Sequence, residues 1–264
     1  MTNLVYAYNQ IPYEAKTVAR SFTENRLFPW FNILGNNKSE FVDLSSTAGT
    51  WNIELNLGKD SSGTDITKAA EYILITNYKS LLPSAGTIYL EYYSGSYTTA
   101  TSFTDTDVAA ALTGFQNRDF IKTFTATSAY NLWRIRCSIA SDAIGKIYFG
   151  TFLDLGIDPD EINIRPVSKQ VIFTSDGGNN SYLRTGRDSN IYEISYKGIT
   201  KTKLAELEAI LNFREKNPLM FMHLKTVTDI LNGDNNLAVN LIDYKYDYIR
   251  ADLANLTLTF KDSL

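Results

Sequence analysis

The sequence predicts a mostly β protein, an N-terminal antiparallel β-sandwich followed by a smaller α+β domain with one covering helix. Three observations carry that expectation. The chain holds 17 Tyr and 14 Phe in 264 residues, with 44% hydrophobic and only 20% charged side chains, a composition that packs into a core and favours pleated surfaces. Apolar and polar residues alternate with period two over several stretches. Clusters of Gly, Pro, Ser, Thr and Asp separate those stretches, as turns between short antiparallel strands require.

Taken in order, residues 1–21 precede the first alternating strand and carry Tyr6, Tyr8 and Tyr13 among few charges. They are expected to form an arm that docks on a neighbouring molecule. The sandwich is expected over 22–157. Its clearest strand is Trp51 to Leu57, where Trp51, Ile53, Leu55 and Leu57 share one face and Asn52, Glu54 and Asn56 the other. Further strands are predicted at Glu71 to Asn77, Thr87 to Tyr93, Phe120 to Thr125, Asn131 to Ala140 and Lys146 to Leu153. In the fifth of these six, Trp133, Ile135, Cys137 and Ile139 fall on one face. The only cysteine is therefore expected in the core, as a small buried hydrophobe without a disulfide partner.

Pro159 removes a backbone donor and biases Asp158 toward extended backbone, so 158–168 reads as a linker and 169–264 as the second domain. Strands are predicted there at Gln170 to Ser175 and Asn190 to Lys197. A helix follows from Thr202 to Lys216, with Leu204, Leu207, Ile210 and Leu211 at helical spacing and Asn217-Pro218 as its stop. Leu219 to Lys225 reads as a strand and Asn232 to Asn236 as a turn. The last two strands place Ile242, Tyr244, Tyr246 and Tyr248 on one face, and Leu256, Leu258 and Phe260 on another.

The residues narrow the chemistry. A net charge of −4 offers no cation excess for phosphates, so direct nucleic-acid binding is not expected. With one His (His223) and one Cys, imidazole and thiolate sites cannot be assembled within one subunit. Asp154, Asp158, Asp160 and Glu161 form the densest acidic group, but they fall at the linker and read as a solvated turn rather than a glycosidase pair. Asp105 and Asp107 lack the Gly and Glu of a calcium loop, and Gly177-Gly178 lacks the lysine and helix of a phosphate cradle. No catalytic residue, metal ligand or cofactor is expected. No signal peptide or apolar run of membrane-spanning length is apparent, and the three N-glycosylation sequons read as chance matches.

One family shows a similar order of elements. Phe28-Pro29-Trp30-Phe31, the strand Trp51 to Gly58, Leu74 to Leu81, and the pair Leu132 to Arg136 with Ile144 to Gly150 resemble a discoidin-like jelly roll. Ile191 to Thr200 running into the helix, then Leu219 to Leu224, is similar to the strand-helix-strand core of phage tail domains. The chain thus resembles tail-tip structural proteins of tailed bacteriophages. That resemblance implies a non-enzymatic virion protein, made in the host cytoplasm, that joins a cyclic homo-oligomer around the tail axis and contacts other tail proteins. The alternative is a carbohydrate-binding module meeting host-surface glycans, with Tyr92, Tyr93 and Tyr97 stacking on sugar rings.

Overall fold

A computed structural model of the chain describes residues 4–8, 10–21, 42–43, 50–75, 79–80, 87–104, 120–137, 142–144, 146–167, 170–174, 180–184, 189–213, 219–224 and 236–262. The protein is mostly β, with antiparallel sheets and few helices. It forms two compact units. One comprises Val5–Leu153 and Phe221–Leu237, the other Met1–Leu4, Asp154–Met220 and Ala238–Leu264.

The first unit is a β-sandwich. Its five-stranded sheet runs in the order Thr17–Arg20, Trp51–Asn56, Leu132–Cys137, Thr87–Tyr93, Tyr97–Thr104, each neighbour antiparallel. A three-stranded sheet, Ile147–Gly150, Tyr72–Ile75 and Phe120–Thr123, supplies the opposing layer. Between them lies one core of Trp51, Ile53, Leu55, Ile88, Leu90, Trp133 and Ile135 from the larger sheet, with Ile73, Ile75, Ile147 and Phe149 from the smaller. Alternation dictates this, because every second residue of Trp51–Asn56 and Leu132–Cys137 points inward and is buried. Cys137 is among them, buried and without a disulfide.

At the end of the Trp51–Asn56 strand the chain turns on Gly58, whose φ of 72° lies in the left-handed region that favours glycine. Asn131 fixes the turn, donating from Nδ2 to the carbonyls of Gly58 (2.7 Å) and Ile66 (2.8 Å). The strand Tyr97–Thr104 is one that the sequence pattern does not predict. It is joined to Thr87–Tyr93 through Ser94-Gly95-Ser96, with Gly95 at a φ of 87°.

Residues 4–8 and 10–21 are not a free arm. Leu4–Tyr8 is a fully buried strand, and Thr17–Arg20 pairs with Trp51–Asn56 as part of the five-stranded sheet. The Tyr8 amide donates to the Tyr72 hydroxyl at 2.9 Å, and that hydroxyl donates in turn to the Tyr8 carbonyl. Tyr6 and Tyr8 are core residues, and Tyr13 alone of the three is exposed. The reason is hydrophobicity: Leu4, Val5, Tyr6 and Ala7 all find apolar cover within their own chain.

The second unit orders the strands Glu161–Val167, Ser189–Thr200, Leu253–Asp262 and Asn236–Arg250 antiparallel. Its core side carries Tyr192, Ile194, Tyr196, Leu256, Leu258 and Phe260, and the helix Lys201–Phe213 buries Leu204 and Leu207. The helix begins within a residue of its expected start, and its expected end lies outside the described residues. The expected linker departs more. Glu161–Val167 is a strand in register with Ser189–Ser195, because Ile162 and Ile164 alternate with Glu161, Asn163 and Arg165 as a strand requires, despite Pro166 near its end. In the Asn236–Arg250 strand a bulge between Leu241 and Asp243 takes Ile242 out of register, so Leu241 replaces it on the face shared with Tyr244, Tyr246 and Tyr248.

Candidate functional site

The outward face of the five-stranded sheet gathers the polar residues that alternate with the core. Strand register sets them in rows. One row reads Ala19, Glu54, Arg134, Glu91, Thr99 across the five strands. The next holds Asn52, Arg136, Tyr89 and Ser102, and Tyr93 opposes Tyr97 at the hairpin end.

Glu91 is the anchor. It is only 4% exposed, and two arginines hold it. Arg134 Nε donates to Oε2 at 2.7 Å, while Arg136 donates from Nη2 to Oε1 at 2.9 Å. Burial pushes the Glu91 carboxyl up, but the hydrogen bonds from Arg136 and Arg134 outweigh it and hold the group below the usual carboxylate range. Each arginine also caps a ring, Arg134 lying 3.5 Å over Tyr97 and Arg136 3.9 Å over Tyr89.

Tyr97 is fixed from a second side. Burial and a hydrogen bond to the Glu54 carboxylate push its hydroxyl up to about 12, so the phenol stays protonated and donating through the neutral range. Tyr93 stands edge-on to it at 5.4 Å between ring centroids and is 44% exposed. The four charges, Glu54, Glu91, Arg134 and Arg136, sum to zero. The result is an open aromatic ring beside a rigid, neutral set of hydrogen-bonding groups.

Of the three tyrosines expected to stack on sugars, the structure brings Tyr93 and Tyr97 together and separates Tyr92. By alternation Tyr92 faces the core side, packed against the sandwich core and stacked on Tyr130 at 3.9 Å. Glu54, Glu91, Arg134 and Arg136 were not singled out from sequence. Their signal was the polar half of the same alternation that identified the core.

The other sequence candidates do not converge. Asp154 Oδ1 accepts the Gly156 amide at 2.8 Å, Asp160 pairs with Lys197 at 2.6 Å, and Glu161 opens a strand. Asp105, Asp107, Gly177 and Gly178 lie outside the described residues, as does the side chain of His223. Among the described residues, no group of three or more His, Cys, Asp or Glu is placed to hold a metal ion, and no helix is long and apolar enough to cross a membrane.

Fold and site together define a β-sandwich protein with an aromatic and charged sheet face. No protein-family model and no curated protein matches the chain. Among solved structures it is similar to chitosan-binding module 1 of a chitosanase/glucanase from Paenibacillus sp. IK-5, at 17% identity and a TM-score of 0.38, over 54% of this chain and 99% of the module. A Ruminococcus gnavus fucosidase solved in complex with fucose is similar at 13% identity and a TM-score of 0.37, over 54% of this chain; the match spans 26% of the fucosidase.

Proposed function

We propose that the chain is a non-catalytic binding protein whose sandwich recognises a neutral oligosaccharide on the outward face of its five-stranded sheet. The observation that carries this reading is the Tyr93–Tyr97 pair beside the Arg134–Glu91–Arg136 cluster. An exposed ring stacks on the apolar face of a pyranose, while Glu54 and the arginines reach its hydroxyls with donors and acceptors held in advance. Because the cationic groups are already matched by carboxylates, an anionic glycan finds no surplus charge here. Preorganisation is the mechanism, since the groups are fixed by one another before any ligand arrives. A glycan array probed with the full chain tests it: binding to neutral oligosaccharides is expected, and a blank array, or binding only to sulfated or sialylated glycans, would contradict it.

A second reading places this protein as a structural component of a phage tail tip, joining a ring and bringing the sandwich to host-surface glycans. The second unit favours it, with Ile162, Ile164, Ile242, Tyr248 and Ile249 exposed on strands. Negative-stain images of the purified protein test this, where rings with a central hole are expected and single particles without rings would count against it.

A further inference from the structure

The strand Glu161–Val167 ends its sheet. Ser189–Thr200 pairs with one side of it, and among the described residues no strand occupies the other. Natural proteins cover such an edge, twist it away or load it with charge, because its free N–H and C=O groups are a template for another strand. Among the described residues the edge is covered on neither face. Ile162 and Ile164 are 51% and 61% exposed, although register aligns them with the buried Ile194 and Tyr192, so the apolar face of the sheet runs on into solvent.

The sequence along this edge reads Glu161-Ile162-Asn163-Ile164-Arg165, which is self-complementary when turned antiparallel against itself. We propose that two copies of this chain pair through this edge about a two-fold axis at Asn163, joining their sheets into one. In that register Glu161 of each copy faces Arg165 of the other, Ile162 faces Ile164, and Asn163 faces itself. Opposite charges and apolar pairs directly across antiparallel strands both stabilise, and the isoleucines lie on the face where the apolar surface is uncovered. The interface is isologous, so each favourable pair occurs twice. Glu161 also lies near Lys197, which bonds Asp160 and lies in the same chain; those two side chains are solvated and leave the free edge open. Pro166, lacking an amide hydrogen, ends the pairing just beyond Arg165.

Charge reversal on the full chain tests the register. Glu161→Arg and Arg165→Glu each place like charges opposite one another twice, and sedimentation velocity is expected to show dimerisation weakened by about tenfold or more for either variant. An equimolar mixture of the two is expected to form a one-to-one heterodimer, because an edge with Arg at both positions then meets one with Glu at both. The doubly reversed chain is expected to self-associate as the original does. As a second readout, Asn163→Cys should form a symmetric disulfide under mild oxidation, since facing Cα atoms across antiparallel strands lie roughly 4.5–5.5 Å apart, within disulfide reach. A monomeric original chain, single variants that dimerise unchanged, a mixture that fails to associate, or no cross-link at 163 would each overturn the proposal.

Discussion

The outward face of the sandwich sheet and the edge strand Glu161–Val167 have the same kind of sequence, apolar and polar residues in strict alternation, and reach opposite outcomes. On the sandwich, Arg134, Arg136 and Glu91 are partly or almost wholly buried by one another and by Tyr89 and Tyr97. On the edge strand, both alternating sets stay in water, with Glu161 to Pro166 all exposed. What differs is the number of strands alongside. Leu132–Cys137 has a neighbour on each side whose register supplies partners to every outward residue, whereas Glu161–Val167 has one. A polar face becomes a rigid site when it is flanked, and a template for further pairing when it is not.

The largest effect that sharpens this contrast lies in the shared core. Trp133→Ala should destabilise the sandwich by about 3–5 kcal/mol in chemical denaturation, since the residue is fully buried and the surrounding sheets cannot close on the cavity. Next comes Glu91→Gln, expected to cost about 1–3 kcal/mol, because it leaves two arginines sharing one neutral partner. The pH dependence follows from the direction of its shift. A carboxyl held below 4.5 in the fold contributes fully above that pH and loses its contribution as pH falls through the lowered value, so the original chain and the variant should converge in acid denaturation. For Tyr97 the sign reverses. Its hydrogen bond contributes fully below pH 10 and is lost as pH rises toward about 12, and Tyr97→Phe should remove one late-ionising phenol from the alkaline absorbance titration. Smallest is Ile164→Ser on the edge strand, where stability, measured at protein concentrations too low for two copies to pair, should move by no more than about 0.5 kcal/mol. A large loss there would show that the edge is covered within its own chain, and would erase the contrast.

Much of the fold was legible because burial and period two coincide. Trp51, Ile53, Leu55, Trp133, Ile135 and Cys137 face the core as their spacing implies, and Leu204 and Leu207 mark the helix that covers the second sheet. Tyr97–Thr104 was not legible, since its Thr and Ser residues show no apolar alternation and the strand is made by pairing with Thr87–Tyr93. Nor was Glu161–Val167, where Asp158-Pro159 spoke for a linker against a short Ile alternation. The site was half legible. Tyr93 and Tyr97 were visible as aromatics near a turn, but Glu91 lies 43 residues from Arg134, and only strand register brings the two together. Adjacency in sequence also misled, because Tyr92 and Tyr93 necessarily point to opposite faces.

That last pair gives the most direct test of the binding face. Glycan binding and thermal unfolding of the full chain should be measured side by side for Tyr93→Ala and Tyr92→Ala. Tyr93→Ala is expected to lose most glycan binding with its unfolding curve unchanged, and Tyr92→Ala to unfold at lower temperature through loss of its stacking on Tyr130. Full glycan binding by a folded Tyr93→Ala variant would contradict the account.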